Sequence, residues 1–102
     1  MIATTAASSN QPASAAHQVL IERFAYDPEV LPVKIGDTVT WTNRDIVPHT
    51  VTAEDGSWDS GEIAPGATWS MTVTDQTFAE TAGAYFCGYH PVMQSRLENE
   101  QD

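Results

Sequence analysis

The sequence predicts an all-β fold, a β-sandwich or small barrel, and three observations carry that prediction. Apolar residues recur with a period of two along several short runs. Clusters of Gly, Pro, Asp, Asn and Ser separate those runs at regular spacing. No capped segment keeps a helical period for long enough to matter. At 102 residues the chain has room for one domain.

Residues 1–17, small and mostly polar, read as a disordered tail. They lack the apolar centre and basic start of a secretory signal, while ASAA at 13–16 resembles the remnant of a processed export signal. His17 falls in that tail and reads as a solvated residue. From Gln18 the composition changes. QVLIERF alternates, with Val19 and Ile21 inward, and reads as a strand. YDPEVLP, with two prolines, reads as a turn or irregular crossing. In VKIGDTVTWTN a Gly36-Asp37 turn leads into a strand whose buried face is Val39 and Trp41. HTVTA offers another strand, and EDGSWDSGEIAPGA reads as loop with one short pairing at most. TWSMTVT alternates Trp69, Met71 and Val73 against Ser and Thr, DQTFAETAG makes one short turn, and AYFC is the next strand. The domain is therefore expected over residues 18–97, followed by an acidic tail at 98–102. Trp41, Trp58 and Trp69 read as core and loop packing, and Met71 as core filler.

Fourteen acidic against four basic side chains give a net charge of −10. Such a charge repels nucleic acid and anionic membrane surfaces and favours a basic protein partner through long-range steering. No apolar run approaches the length of a bilayer span, so no membrane insertion is expected. A single cysteine cannot close an intramolecular disulfide. Cys87 is left as a buried inert thiol, a reactive thiol or a metal ligand.

Its neighbours favour the last. In YFCGYHPVM, Cys87 is followed at even spacing by His90 and Met93, and a second loop, NRDIVPHT, carries His49. In a sandwich, strand ends at one pole gather such loops. A thiolate and two imidazoles with a thioether as weak axial donor is the set that suits a blue-copper electron-transfer site; zinc accepts the first three but gains nothing from the thioether. Cys87 at a strand end pins the sulfur to the scaffold, and Pro91 stiffens the segment that follows. Cys87 and His90 as nucleophile and base find no third orienting group. Multicopper oxidase or nitrite reductase chemistry needs more histidines than His17, His49 and His90. Two other classes stay open: a copper or zinc carrier without electron transfer, and a metal-free interaction module.

These residues resemble the cupredoxins, the small blue copper proteins, and among them the amicyanins. The resemblance spans roughly residues 18–97 and is carried by F-x-Y-x-P at Phe24 to Pro28, V-x-x-G-D-T-V-T-W-T-N at Val33 to Asn43, P-H-T-V at Pro48 to Val51 and C-x-x-H-x-x-M at Cys87 to Met93. It implies a cupredoxin-like Greek-key β-sandwich of about eight strands. It also implies one copper ion held by His49, Cys87, His90 and Met93, and a monomeric electron shuttle, not an enzyme, in the periplasm or another extracytoplasmic space. Redox partner proteins would dock transiently on the apolar surface around His90. Thr50 would give its N–H to the Cys87 sulfur, and Tyr89, where amicyanins have proline, would add a second N–H. Asp45, Glu54, Asp55 and Asp59 would steer a basic partner. Two departures from the family pattern are visible. Gly83 stands only four residues before Cys87, which predicts a displaced last turn, and QSRLENEQD offers only Leu97 to a closing strand, which predicts a ragged one.

Overall fold

The computed structural model describes residues 14–78 and 82–100. Eight strands are present among them: β1 (Ala16–Glu22), β2 (Ala25–Asp27), β3 (Val30–Val33), β4 (Thr38–Asn43), β5 (Thr52–Ala53), β6 (Thr68–Thr72), β7 (Ala84–Phe86) and β8 (Gln94–Asn99), with one 3-10 turn at Asp75–Phe78. They form two four-stranded sheets, ordered β2-β1-β4-β6 and β3-β8-β7-β5. Period-two burial explains each sheet's inner face. Val19 and Ile21 of β1 and Val39 and Trp41 of β4 point inward from the first, and Val33, Tyr85 and Leu97 from the second. Trp41 lies at the centre, packed on Trp69, Trp58 and Tyr85, with its indole N–H donating to the Tyr85 hydroxyl at 3.2 Å. The tryptophans are thus core and loop packing, as expected, and Met71 packs against the same core.

Four expectations need correction. β1 begins at Ala16 rather than Gln18, because His17 and its neighbours pair in parallel with the start of β4. His17 is consequently no solvated tail residue: its Nε2 lies 2.8 Å from Asp37 Oδ2, and the same carboxylate accepts the N–H groups of Ala15 and Lys34. The proline-containing crossing holds two short strands, β2 and β3; Pro32 is tolerated because β3 is a sheet edge, where a missing N–H costs no ladder bond. The closing strand is not ragged. β8 runs six residues between β3 and β7, with Leu97 fully buried, so Glu98 and Asn99 belong to the sheet and not to a tail. The remainder of the tail readings, residues 1–13 and 101–102, lies outside the described residues.

Gly83 sits in the turn that precedes β7. Its φ is +86°, and a Cβ there would stand 2.1 Å from the Leu97 carbonyl oxygen, so only glycine lets the chain pass this close to β8. The turn enters β7, whose far end carries Cys87 to the pole where the site lies.

Candidate metal centre

The site begins with Asn43, the fully buried last residue of β4. Its amide donates to the carbonyls of Val47 at 2.9 Å and Ile63 at 2.8 Å, and its Oδ1 accepts the Asp45 N–H. That side chain shapes the loop so that His49 emerges paired to Ile63 by two reciprocal backbone bonds. His49 is wholly buried, with Nδ1 3.5 Å from Cys87 Sγ and Nε2 2.7 Å from Asp45 Oδ2.

Asp45 differs from its expected part as a steering charge. Its side chain is only 13 % exposed, and it accepts the N–H groups of Arg23 at 2.7 Å and Phe24 at 3.1 Å besides facing His49. Desolvation pushes its carboxyl up, but the bonds from Phe24, Arg23 and His49 outweigh that and hold it below the usual carboxylate range. An ionised carboxylate only accepts, so Nε2 carries a proton, and Nδ1 is the ring nitrogen that faces the sulfur.

Even spacing in the second loop has a geometric cause. The His90 N–H donates to the Cys87 carbonyl and the Met93 N–H to the His90 carbonyl, at 3.1 and 2.8 Å, so each three-residue step is one hydrogen-bonded turn. The Cys87 N–H closes the pair of turns on the Met93 carbonyl at 3.1 Å. Pro91, at the second position of the latter turn, has the φ that position requires. His90 Nδ1 then lies 3.8 Å from Cys87 Sγ, and the three donor atoms of His49, Cys87 and His90 all fall within 4.8 Å of one another. Metal–sulfur and metal–imidazole bonds of ordinary length, meeting at trigonal to tetrahedral angles, put sulfur and nitrogen about 3.6–3.8 Å apart. The two sulfur–nitrogen distances fit. Met93 is buried in the core, its carbonyl accepting the Cys87 N–H. Two imidazoles on one sulfur make a metal set rather than a nucleophile with its base.

Around the sulfur, Thr50 donates its N–H at 3.4 Å, as expected. The sulfur's bonds run to the Thr50 N–H and the two imidazoles and none to the Tyr89 N–H expected there; the Tyr89 hydroxyl donates separately to Glu62 Oε1 at 2.9 Å. Sequence reasoning missed the part played by Phe24. Its ring stands edge-on to both His49 and His90, at centroid distances of 5.6 and 4.9 Å, on a turn where Arg23 and Phe24 both adopt positive φ. Phe24 falls outside the alternation of β1, so periodicity carried no signal for it. His90 is half-buried; Phe24, whose ring meets its own, and Tyr89 and Val92, its neighbours in the chain, are exposed large apolar side chains.

A β-sandwich with a buried cysteine sulfur and two imidazoles at one pole defines a class: a protein with a soft, mononuclear metal centre of the kind that suits copper. Residues 13–98 match the copper binding proteins of the plastocyanin/azurin family, and the chain belongs to that family. It is 35 % identical over 96 residues to amicyanin of Paracoccus versutus, which covers 89 % of this chain and 69 % of that protein. To amicyanin of Paracoccus denitrificans it is 34 % identical over 79 residues, 76 % of this chain, and it spans only 60 % of that protein's length. Among solved structures, the Cu(I) form of an amicyanin mutant superposes with a TM-score of 0.68 at 31 % identity, covering 90 % of this chain and 89 % of that one. A purple cupredoxin from Nitrosopumilus maritimus shares the fold, with a TM-score of 0.68 at 24 % identity over 82 % of this chain and 99 % of that one. No helix among the described residues is long and apolar enough to cross a membrane.

Proposed function

We propose that the protein carries single electrons between redox partners through one copper ion held by His49, Cys87, His90 and Met93. The observation that carries this reading is the convergence of two imidazole Nδ1 atoms on one buried sulfur, at 3.5 and 3.8 Å, in a chain of the copper-binding family. Copper bound there supplies a one-electron couple. The chain's own residues keep the donors in place whichever state is present. Asp45 orients His49, the paired turns hold His90 and Met93, and Thr50 withdraws electron density from the sulfur through its N–H. The Phe24 ring stands edge-on against both imidazoles.

Electrons would pass at His90, the ligand whose ring reaches the surface. Partners would dock transiently on the Phe24, Tyr89 and Val92 surface, and Glu62, tied to Tyr89, would meet a basic rim on the partner. The resemblance to amicyanins supports a monomer working in the periplasm or another extracytoplasmic space. Adding Cu(II) to the purified chain should give intense visible absorption, narrow EPR hyperfine splitting and reversible one-electron reduction. A colourless protein that takes up zinc or copper without a reversible couple would replace the proposal with metal carriage, and no uptake would end both.

A further inference from the structure

Behind the candidate centre four residues form one continuous hydrogen-bonded line. The Gly88 N–H donates to Thr50 Oγ1 at 2.7 Å, Thr50 Oγ1 lies 2.9 Å from Thr52 Oγ1, and Thr52 Oγ1 donates to Asp59 Oδ1 at 3.0 Å. The two ends fix its direction, since an amide only donates and an ionised carboxylate only accepts. Each hydroxyl has one proton. That of Thr52 goes to Asp59, so that of Thr50 goes to Thr52, and a Thr50 lone pair is left facing Gly88. The Gly61 N–H donates to the same Asp59 oxygen at 2.9 Å and holds the carboxylate in place. Gly88 fits closely: a Cβ there would sit 3.3 Å from Thr50 Oγ1, so loop backbone lies directly on that hydroxyl.

Thr50 joins this line to the sulfur. Its N–H is the donor to Cys87 Sγ and its carbonyl accepts the Tyr26 hydroxyl at 2.5 Å, so the residue is held from three sides. We infer that Asp59 is a positioning residue for the metal centre, acting through the Thr52 and Thr50 hydroxyls on Gly88 and thereby on the Cys87 loop. The anion polarises both hydroxyls towards itself, which strengthens the acceptor that Thr50 presents to Gly88. The two ligand loops are thus latched before any metal arrives, and the Thr50 N–H stays at bonding distance from the sulfur. An N–H on a thiolate favours the reduced, more electron-rich state, so the latch biases the couple towards Cu(I). Only this last consequence rests on the electron-transfer reading.

The test uses Thr52→Val, Thr52→Ser, Asp59→Asn and the Thr52→Val, Asp59→Asn double variant of the full chain. Exchange of the Gly88 amide is followed by NMR without metal, and the midpoint potential is measured with copper bound. Thr52→Val, which changes no charge, should speed Gly88 exchange about fivefold, the loss of one net hydrogen bond. It should also lower the midpoint, and Thr52→Ser should restore both. Asp59→Asn should alter Gly88 exchange only while the Thr52 hydroxyl is present. Unchanged Gly88 exchange in Thr52→Val, or an effect of Asp59→Asn of equal size with and without that hydroxyl, would overturn the inference in favour of a plain surface charge. Should the chain take up no copper, the proposed function falls alone, because the metal-free exchange rates still decide the latch.

Discussion

Replacing Asp45 with alanine removes the group that ties the β1–β2 turn to His49. The His49 ring is fully buried, so its Nε2–H loses its partner without gaining water. A buried donor orphaned in this way costs about 1–3 kcal/mol. The Arg23 and Phe24 amides lie at an exposed turn and recover water, at about 0.5 kcal/mol each. The sum is about 3 kcal/mol, and in a domain of this size that lowers Tm by about 12–24 °C. Positive φ at Arg23 and Phe24, 56° and 59°, is held by these bonds, and its relaxation in the variant offsets a part of the loss. Heat and urea unfolding of the metal-free chain, followed by tryptophan fluorescence, measures the loss. Asp45→Asn keeps one acceptor oxygen and should lose about half as much. An Asp45→Ala stability within about 0.5 kcal/mol of the parent, the range of ordinary surface substitutions, would show that Asp45 is a solvated charge after all.

Three further outcomes follow from the same geometry. Cys87→Ser should leave a folded protein without the intense visible absorption, since the thiolate that gives rise to it is gone; copper-loaded spectra check this. Met93→Gln should keep the colour and lower the midpoint potential, because a harder axial oxygen favours Cu(II) over a thioether; voltammetry reads the shift. For Asp37, desolvation pushes the carboxyl up, while bonds from the Ala15 N–H, His17 and the Lys34 N–H outweigh it and hold the group below its ordinary value. Its stabilisation is therefore full above the unfolded carboxyl value of about 3.9 and is lost as pH falls through the lower folded value. Asp37→Asn should flatten the acid limb of the stability profile, measured by urea unfolding across pH 2–6.

Local pattern in the sequence was enough for much of this protein. Alternation of Val19 with Ile21 and of Val39 with Trp41 declared the inner face of the first sheet, because a half-buried strand must repeat every second residue. The three-residue steps from Cys87 to Met93 correspond to two successive backbone turns, since each step closes its own hydrogen bond and needs nothing from the remainder of the chain. What the local pattern left out involves partners far apart in sequence. β8 has a single buried aliphatic residue, yet it is a strand because β3 and β7 offer it backbone partners on both sides. His17 looked like tail until the start of β4 was seen to lie beside it.

The same division runs through the metal centre. By itself the sequence determined the fold class and the donor types, because periodicity and residue chemistry are properties of short segments. Only the tertiary structure decided that Asp45 faces His49, that Phe24 stands edge-on to both imidazoles, and that Asp59 reaches the Cys87 loop through two hydroxyls. Hydrogen bonds between loops depend on where several turns arrive in space, and that arrival leaves no period in the chain to be read.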